Sequence, residues 1–202
     1  MRSDQKMLRH IFVVTLLLLV AACGSSPKTD FYMLNADHGA LMQAANAATG
    51  PAVGVWKVML PDYLDRSELV TRDNAYQIKM ADFSWWAGNL ENNMTVLIAA
   101  ELSEGLLSNR VLVSPWESYR KHDYQLKIRV VRFDGALGGE VVLTGVWSLL
   151  DAAGLNELSG EVFEFKANAV DSTYKEMVAT MSQLTVKLAA QLTDAIIAQE
   201  SM

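Results

Sequence analysis

The stretch YQLKIRV, residues 124–130, alternates between apolar and polar side chains at every position. In an extended chain Tyr124, Leu126, Ile128 and Val130 lie on one side, and the polar residues between them lie on the other. This alternation is typical of an antiparallel strand with one buried and one solvent-exposed face. It predicts that the protein is built around a sheet that is covered on one side.

Short strands separated by turns flank this stretch in both directions. Pro61 ends one of them, because proline cannot donate to a sheet ladder, and the glycine-rich residues 135–139 form the turn after the central strand. Besides the central strand, strands are predicted at residues 31–34 (an edge strand), 52–60, 67–72, 75–80, 110–113, 140–150 and about 158–166.

Two segments change to the three- and four-residue spacing of an amphipathic helix. One runs from Asn89, which has the side chain of an N-cap, to about Leu107. The other runs from Ser172 to about Gln199. The order strands, helix, strands, helix predicts an α+β fold, a largely antiparallel sheet with two amphipathic helices packed on one face.

Residues 1–22 have the composition of a secretory signal peptide. Residues 1–10 are basic, an uncharged apolar run follows at 11–20, and two alanines then precede Cys23, the only cysteine of the 202 residues. The apolar run is shorter than the ~20 residues that cross a bilayer as a helix. The sequence therefore predicts a leader that is removed, rather than a permanent transmembrane helix.

The residues Val20-Ala21-Ala22-Cys23 closely resemble the bacterial lipobox, which is cut just before its cysteine. The resemblance implies that Cys23 becomes the first residue of the mature protein, with a diacylglycerol on its sulfur and an acyl chain such as palmitate on its amine. Each buried methylene contributes about 0.8 kcal/mol, so three chains would anchor the protein firmly. In lipoproteins that resemble this one, an Asp directly after the cysteine favours retention in the inner membrane. Gly24 occupies that position here, which implies that the protein is sorted to the outer membrane. An ordinary cleaved leader with an incidental cysteine is the alternative.

Composition favours neither a nucleic-acid partner nor an enzyme. The chain carries 17 basic and 23 acidic residues, a net charge of −6, which gives no support to nucleic-acid binding. After the leader only His38 and His122 remain among the histidines, and neither has a second ligand at metal-binding spacing. No nucleophile-elbow or phosphate-loop motif occurs. We therefore predict no catalytic residue, metal site or cofactor site.

The stretch LPDYLDRSELVTR, residues 60–72, combines a proline with paired acids and arginines. An enzymatic interpretation would use Asp62 and Asp65 as acid and base beside Arg66. We favour a structural or partner-binding interpretation. In it the proline starts a tight turn, the Tyr-Leu pair that follows packs inward, and Arg66 and Arg72 pair with nearby carboxylates.

The stretch DFSWWAGNL, residues 82–90, places two adjacent tryptophans in a connection between a strand and a helix. Adjacent side chains of an extended segment point to opposite faces, so one ring can join the core while the other lies exposed. Exposed tryptophan is common at protein interfaces and membrane surfaces. The alternative is that both rings fill the core.

Taken together, these stretches resemble the PqiC family of ABC-type transport auxiliary lipoproteins. The shared elements are the lipobox, the aromatic strand at 31–34, the PDYLxR and LVTR elements, a Trp-Ala before a helix, and Gly145-Val146-Trp147. Family members commonly have Pro-Leu shortly after the tryptophan, whereas this chain has Ala-Gly-Asn-Leu, in which Asn89 can cap the helix instead. The family-motif residues, with a structural or partner-binding role, are Pro61, Asp62, Tyr63, Leu64, Arg66, Arg72, Trp86 and Leu90.

The resemblance implies three segments: a cleaved signal peptide at 1–22; a lipidated cysteine, tether, edge strand and flexible loop at 23–51; and an ABC-type transport auxiliary lipoprotein domain at 52–202. It implies a lipoprotein on the periplasmic face of the outer membrane, forming a homo-oligomeric ring. There it would dock an MCE-domain protein that carries lipids between membranes. The alternatives are a lipoprotein for outer-membrane or secretin assembly, and a lipid-anchored hydrolase.

Overall fold

The computed structural model describes residues 28–35, 50–117 and 120–201, and in these ranges eight strands form one mixed sheet with two helices packed against it. The helices are α1 (Leu90–Gly105) and α2 (Tyr174–Glu200), and a 3₁₀ turn covers Asp62–Leu64. The strands are β1 (Asp30–Tyr32), β2 (Val53–Val55), β3 (Glu68–Asn74), β4 (Gln77–Trp86), β5 (Val111–Val113), β6 (Tyr124–Gly135), β7 (Glu140–Asp151) and β8 (Glu157–Asn168). The predicted α+β class is confirmed.

The central strand of the sheet is β6. On one side it pairs antiparallel with β7, and β7 pairs with β8, so three strands of 12 residues form a meander. On its other side, the first half of β6 pairs parallel with β2, which also pairs with β5. The end of β6 meets β3 in the single pair Thr71–Gly135, and β4 and β1 continue the sheet from there. The long ladders are antiparallel, as predicted, and the short ones are parallel.

The hydrophobic core lies between the sheet and the two helices. Leu126, Ile128 and Val130, the apolar series of the opening stretch, are buried there, and so is the stripe of α2 that includes Leu184 and Leu188. Each fully buried side chain of this size contributes about 1.5–3 kcal/mol. Helix α2 contacts β6, β7, β8 and α1, which places it over the meander.

Strand β6 does not end at Val130, as the sequence predicts, but continues through a β-bulge to Gly135. The register with β7 shifts between Val130 and Arg132, and the extra residue, Val131, is 63% exposed. An extra residue reverses which side chains face each side of the strand. Phe133 therefore enters the core, and Asp134 lies on the opposite face of the sheet.

The segment predicted as a strand over 52–60 remains in the sheet ladder only from Val53 to Val55, with one further bridge between Met59 and Arg129. Between these points the backbone turns toward α1, because the Val58 amide donates to the Thr95 hydroxyl at 3.0 Å. The Thr95 hydroxyl takes the place of a carbonyl on a neighbouring strand, so the buried Val58 amide still has a hydrogen-bond acceptor.

Strand β4 is longer than predicted: it continues past Met80 and includes both tryptophans. It can do so because it has neighbours on both sides, β3 and the edge strand β1, whose Phe31 lies opposite Trp85. The sequence pattern predicts a connection at residues 82–86, because the pairing with β1 joins segments that lie far apart in the chain and leaves no local signal.

The helix ends follow the capping rules. The Asn89 side chain accepts a hydrogen bond from the Asn92 amide at 2.9 Å, which confirms it as the N-cap of α1. Thr173 caps α2 in the same way through the Glu176 amide. Among the described residues, no helix combines the length and apolar character needed to cross a membrane. The signal peptide, Cys23, Gly24 and His38 lie outside the described residues.

Candidate functional site

The residues of the 60–72 motif converge on an acidic side chain that the sequence analysis did not single out. The Asp134 carboxylate on β6 is completely buried. Arg72 donates to it twice, from Nε to Oδ1 at 2.8 Å and from Nη2 to Oδ2 at 2.7 Å. The Tyr63 hydroxyl donates to Oδ2 at 2.7 Å, and Arg132 Nε donates to Oδ1 at 2.9 Å. These four residues are called the Asp134 cluster.

Three separate elements bring the Asp134 cluster together. The 3₁₀ turn after Pro61 presents Tyr63, whose hydroxyl also accepts from the Phe133 amide at 3.3 Å. Strand β3 presents Arg72, whose guanidinium carbon lies 6.0 Å from the centre of the Tyr63 ring, within cation–π range. The bulge in β6 turns Asp134 toward both. The cluster therefore joins the turn, β3 and β6.

The electrostatics of the cluster favour fixed charges. Burial by itself would raise the pKa of the Asp134 carboxyl, but the hydrogen bonds from Arg72, Tyr63 and Arg132 outweigh burial and lower this pKa. Burial and the hydrogen bond to Asp134 raise the pKa of Tyr63 to about 12. The same carboxylate raises the pKa of Arg72. The lowered pKa of Asp134 and the raised pKa values of Tyr63 and Arg72 favour an ionised carboxylate beside a protonated phenol and guanidinium, which is the state of a structural ion cluster.

Three of the other motif residues belong to the core, since Leu64, Trp86 and Leu90 are buried. Pro61 is half-buried at the start of the 3₁₀ turn, and Asp62 is exposed.

The expectation that Arg72 pairs with a carboxylate is confirmed, whereas the same expectation for Arg66 is wrong within the described contacts. Arg66 instead donates to the Tyr63 carbonyl at 2.8 Å and contacts the Met80 sulfur at 3.1 Å.

A surface cleft of about 540 Å³ lies beside the motif, lined by Phe31, residues 65–67 and residues 85–89. Trp86 points into the core, and Trp85 is half-buried on the other face, edge-on to Phe31 with the ring centres 6.4 Å apart. The two tryptophan rings lie on opposite faces, as predicted, but Trp85 is half-buried rather than exposed. The alternative, with both rings in the core, is wrong.

Asp134 and Arg132 were not among the site residues predicted from the sequence. A signal was present, because the neighbouring valines at 130 and 131 break the apolar–polar alternation and mark the bulge that redirects the Asp134 side chain.

Within ranges 28–35, 50–117 and 120–201, no group of three or more His, Cys, Asp or Glu side chains could hold a metal ion. His122 packs against Trp116, with ring centres 4.7 Å apart.

Fold and site define an α+β domain with a characteristic motif at residues 60–72. This motif contributes Tyr63 and Arg72 to a buried ion cluster, Leu64 to the core and residues 65–67 to the wall of a surface cleft. The family model described as "ABC-type transport auxiliary lipoprotein component" matches residues 32–193, and the chain belongs to this family.

Two named relatives agree with this assignment. The chain is 25% identical over 187 residues to the intermembrane transport lipoprotein PqiC of Escherichia coli (strain K12), covering 92% of this chain and 96% of that protein. PqiC of Shigella flexneri matches to the same extent.

Two crystal structures show the same fold. An uncharacterized protein has a TM-score of 0.68 and 22% identity, covering 84% of this chain and 99% of the other. Protein XCC0632 from Xanthomonas campestris has a TM-score of 0.65 and 15% identity, with 85% and 99% covered.

Replacing Tyr63 by phenylalanine is expected to lower the free energy of unfolding by about 1–2 kcal/mol at pH 8, because a hydrogen bond to a buried charge is lost. The folded-state pKa of about 12 exceeds the ordinary value near 10. This contribution is therefore complete below pH 10 and is lost as the pH rises through 12. Urea unfolding of both proteins at pH 8 and pH 11 measures the difference.

The matched control for this change is Tyr76→Phe, since Tyr76 is 99% exposed at the β3–β4 turn. It should leave stability unchanged at both pH values. A Tyr63→Phe effect that stays constant between pH 8 and pH 11 would show that the hydroxyl is not coupled to the Asp134 carboxylate.

Proposed function

We propose that this protein is an outer-membrane lipoprotein, anchored through Cys23, with its folded domain on the periplasmic face. In this role it is a non-enzymatic auxiliary component of an intermembrane lipid transport system and docks an MCE-domain protein of that system at the outer membrane. The observation that carries the proposal is the family match over residues 32–193. The likeness to PqiC, whose name places that protein in intermembrane transport, supports it.

The described structure is consistent with a docking role. The motif residues with the most polar contacts are committed to the Asp134 cluster, which fixes the 3₁₀ turn against the sheet. Their role is therefore structural, and the partner is docked by surface outside the Asp134 cluster. We infer a homo-oligomeric ring from the resemblance to the PqiC family.

Replacing Cys23 by alanine is expected to remove the protein from the membrane fraction and abolish its function in the cell, because the acyl chains provide the anchor. Fractionation of cells followed by detection of the protein in outer-membrane, inner-membrane and soluble fractions measures this. Ser25→Ala, two residues away, is the matched control and should remain in the outer membrane. Equal distributions of the two variants would disprove lipid anchoring at Cys23.

Crosslinking in living cells tests the partner. The wild-type lipoprotein should be recovered with an MCE-domain protein, and Cys23→Ala should lose that product because it no longer lies at the outer membrane. Recovery of a β-barrel or a secretin instead would favour the alternative role in outer-membrane or secretin assembly. If no MCE component is recovered, the docking proposal fails.

A further inference from the structure

We propose that one edge of the domain rests directly on the lipid bilayer, with its aromatic side chains in the headgroup region. We call this surface the aromatic edge; it consists of Phe31, Met33, Phe83, Trp85 and Val96. The inference rests on the proposed function in one respect, since it takes Cys23 as the lipid anchor. It adds the side of the domain that faces the membrane and the side chains that touch lipid.

The aromatic edge exposes several large apolar side chains. Phe31 is 62% exposed, Met33 59% and Phe83 46%. Phe31 lies opposite Trp85 in the β1–β4 pairing, and their rings touch. Phe83 lies two residues before Trp85 in β4, and Ser84 and Trp86, which alternate with them, are buried, so Phe83 lies on the exposed side with Trp85. Large apolar side chains are thus concentrated in β1 and at the end of β4, whereas singly scattered apolar residues would need no explanation.

The apolar surface continues around the end of β4. On the other side of residues 86–89, a second cleft of about 270 Å³ is lined by Met33 and Val96, among others. Val96 projects from α1 and is 50% exposed. The aromatic edge therefore combines a strand edge and a helix side at one end of the sheet.

The length of chain before β1 places this edge near the membrane. Four residues lie between Cys23 and Lys28, where the description of the domain begins, and the five Cα–Cα steps at ~3.5 Å each span at most about 18 Å. Phe31 follows three residues later. Strand β8 lies at the opposite side of the sheet, five strand positions from β1, which adds roughly 24 Å at ~4.8 Å per strand.

The surrounding charges favour insertion of apolar groups over electrostatic attraction. Asp30, Asp65, Asp82 and Glu68, the last paired with Trp85 in the β3–β4 ladder, carry negative charge near the aromatic edge, and Lys28 and Arg66 carry positive charge. A mixture of this kind gives no charge complementarity to an anionic surface. Tryptophan and phenylalanine gain from the headgroup region through their rings, and the indole N–H can keep a polar partner there.

A second copy of the chain is the competing occupant of this surface. Strand β1 contributes only three residues to the sheet, which is a short ladder for strand pairing between copies. The short chain from Cys23 brings this edge to the membrane without any pairing between copies. We therefore assign the aromatic edge to the lipid surface.

A fluorescent label tests the assignment. Phe83→Cys and Val162→Cys proteins, both lipidated at Cys23, are labelled with the polarity-sensitive dye NBD. They are then reconstituted into vesicles of phosphatidylethanolamine and phosphatidylglycerol. Val162 is 82% exposed on β8 and is the matched control. The label at position 83 should shift its emission to the blue and be quenched by spin-labelled lipid, and high salt should not reverse this. The label at position 162 should do neither.

Intrinsic fluorescence provides a measurement without an introduced label. Brominated lipids should quench the tryptophan fluorescence of the wild-type protein. The Trp85→Phe protein should be quenched less, and the Trp116→Phe protein should be quenched as much as wild type.

An NBD label at position 83 that is as solvent-exposed as the label at position 162 would overturn the inference. So would a blue shift that persists in detergent without lipid quenching, because that result indicates contact with a second copy. These readouts are independent of crosslinking to an MCE protein, so either proposal can fail alone.

Discussion

Replacing Arg72 by methionine is expected to lower the free energy of unfolding by about 3 kcal/mol, since removing one partner of a buried ion pair leaves an inadequately compensated charge. For a domain of this size, that corresponds to a fall in Tm of roughly 6–12 °C. The change deletes both guanidinium hydrogen bonds to Asp134, whose side chain has no exposed surface. Arg132 and Tyr63 remain as donors. Urea and thermal unfolding measure the loss.

Arg66→Met is the matched control because Arg66 lies in the same motif and its described contacts are a backbone carbonyl and a thioether. It should cost under about 1 kcal/mol, as expected for a surface cation. The double variant Arg72→Met/Asp134→Asn should cost less than the sum of its single changes, because the unpaired buried charge is gone. Equal losses for Arg66→Met and Arg72→Met would contradict the role assigned to the Asp134 cluster.

Replacing Gly145 by alanine is expected to have an effect of similar size. A Cβ at this position in β7 would overlap the Arg129 carbonyl oxygen and lie 2.6 Å from the Phe163 ring and 3.0 Å from the Val130 Cα. Two of these three neighbours are backbone, so the sheet itself would have to move. Overpacking of this kind costs about 1–3 kcal/mol and sometimes more. Soluble yield and Tm measure the effect.

Gly88→Ala is the control for this change, since a Cβ there meets no atom within 4 Å. It should be neutral or stabilise the protein by about 0.5 kcal/mol, through lower entropy of the unfolded chain. The comparison bears on the Gly145-Val146-Trp147 motif. If Gly145→Ala proves as harmless as Gly88→Ala, close packing does not explain the glycine in that motif.

The fold was predictable where neighbouring segments pair with each other. The meander of β6, β7 and β8 and both helices follow from local alternation, turn residues and capping residues such as Asn89. The parallel contacts of β6 with β2 and β3 were not predictable, because they join segments far apart in the chain and leave no periodic signal in either one. The shortening of β2 has the same origin: the Val58 amide bonds to Thr95 of a distant helix.

The candidate site was predictable in part. The motif at 60–72 identified Tyr63 and Arg72, and the interpretation that arginine pairs with an acid held for Arg72. The sequence could not identify that acid, because Asp134 lies 62 residues from Arg72 and 71 from Tyr63. The burial of Asp134 depends on the bulge in β6, because the bulge continues the strand through residue 134 and directs this side chain away from solvent.

The single pair Thr71–Gly135 is the only residue pair in the described β3–β6 ladder. The β3–β4 ribbon is therefore held to the meander by side chains more than by backbone hydrogen bonds, and the Asp134 cluster lies across that junction. A region with few ladder bonds to its neighbours opens locally at a lower free energy than the global unfolding transition. We therefore expect the β3–β4 ribbon to behave as a separate cooperative unit in hydrogen exchange. It also carries Phe83 and Trp85, so local opening of the ribbon would move part of the aromatic edge and leave the meander folded.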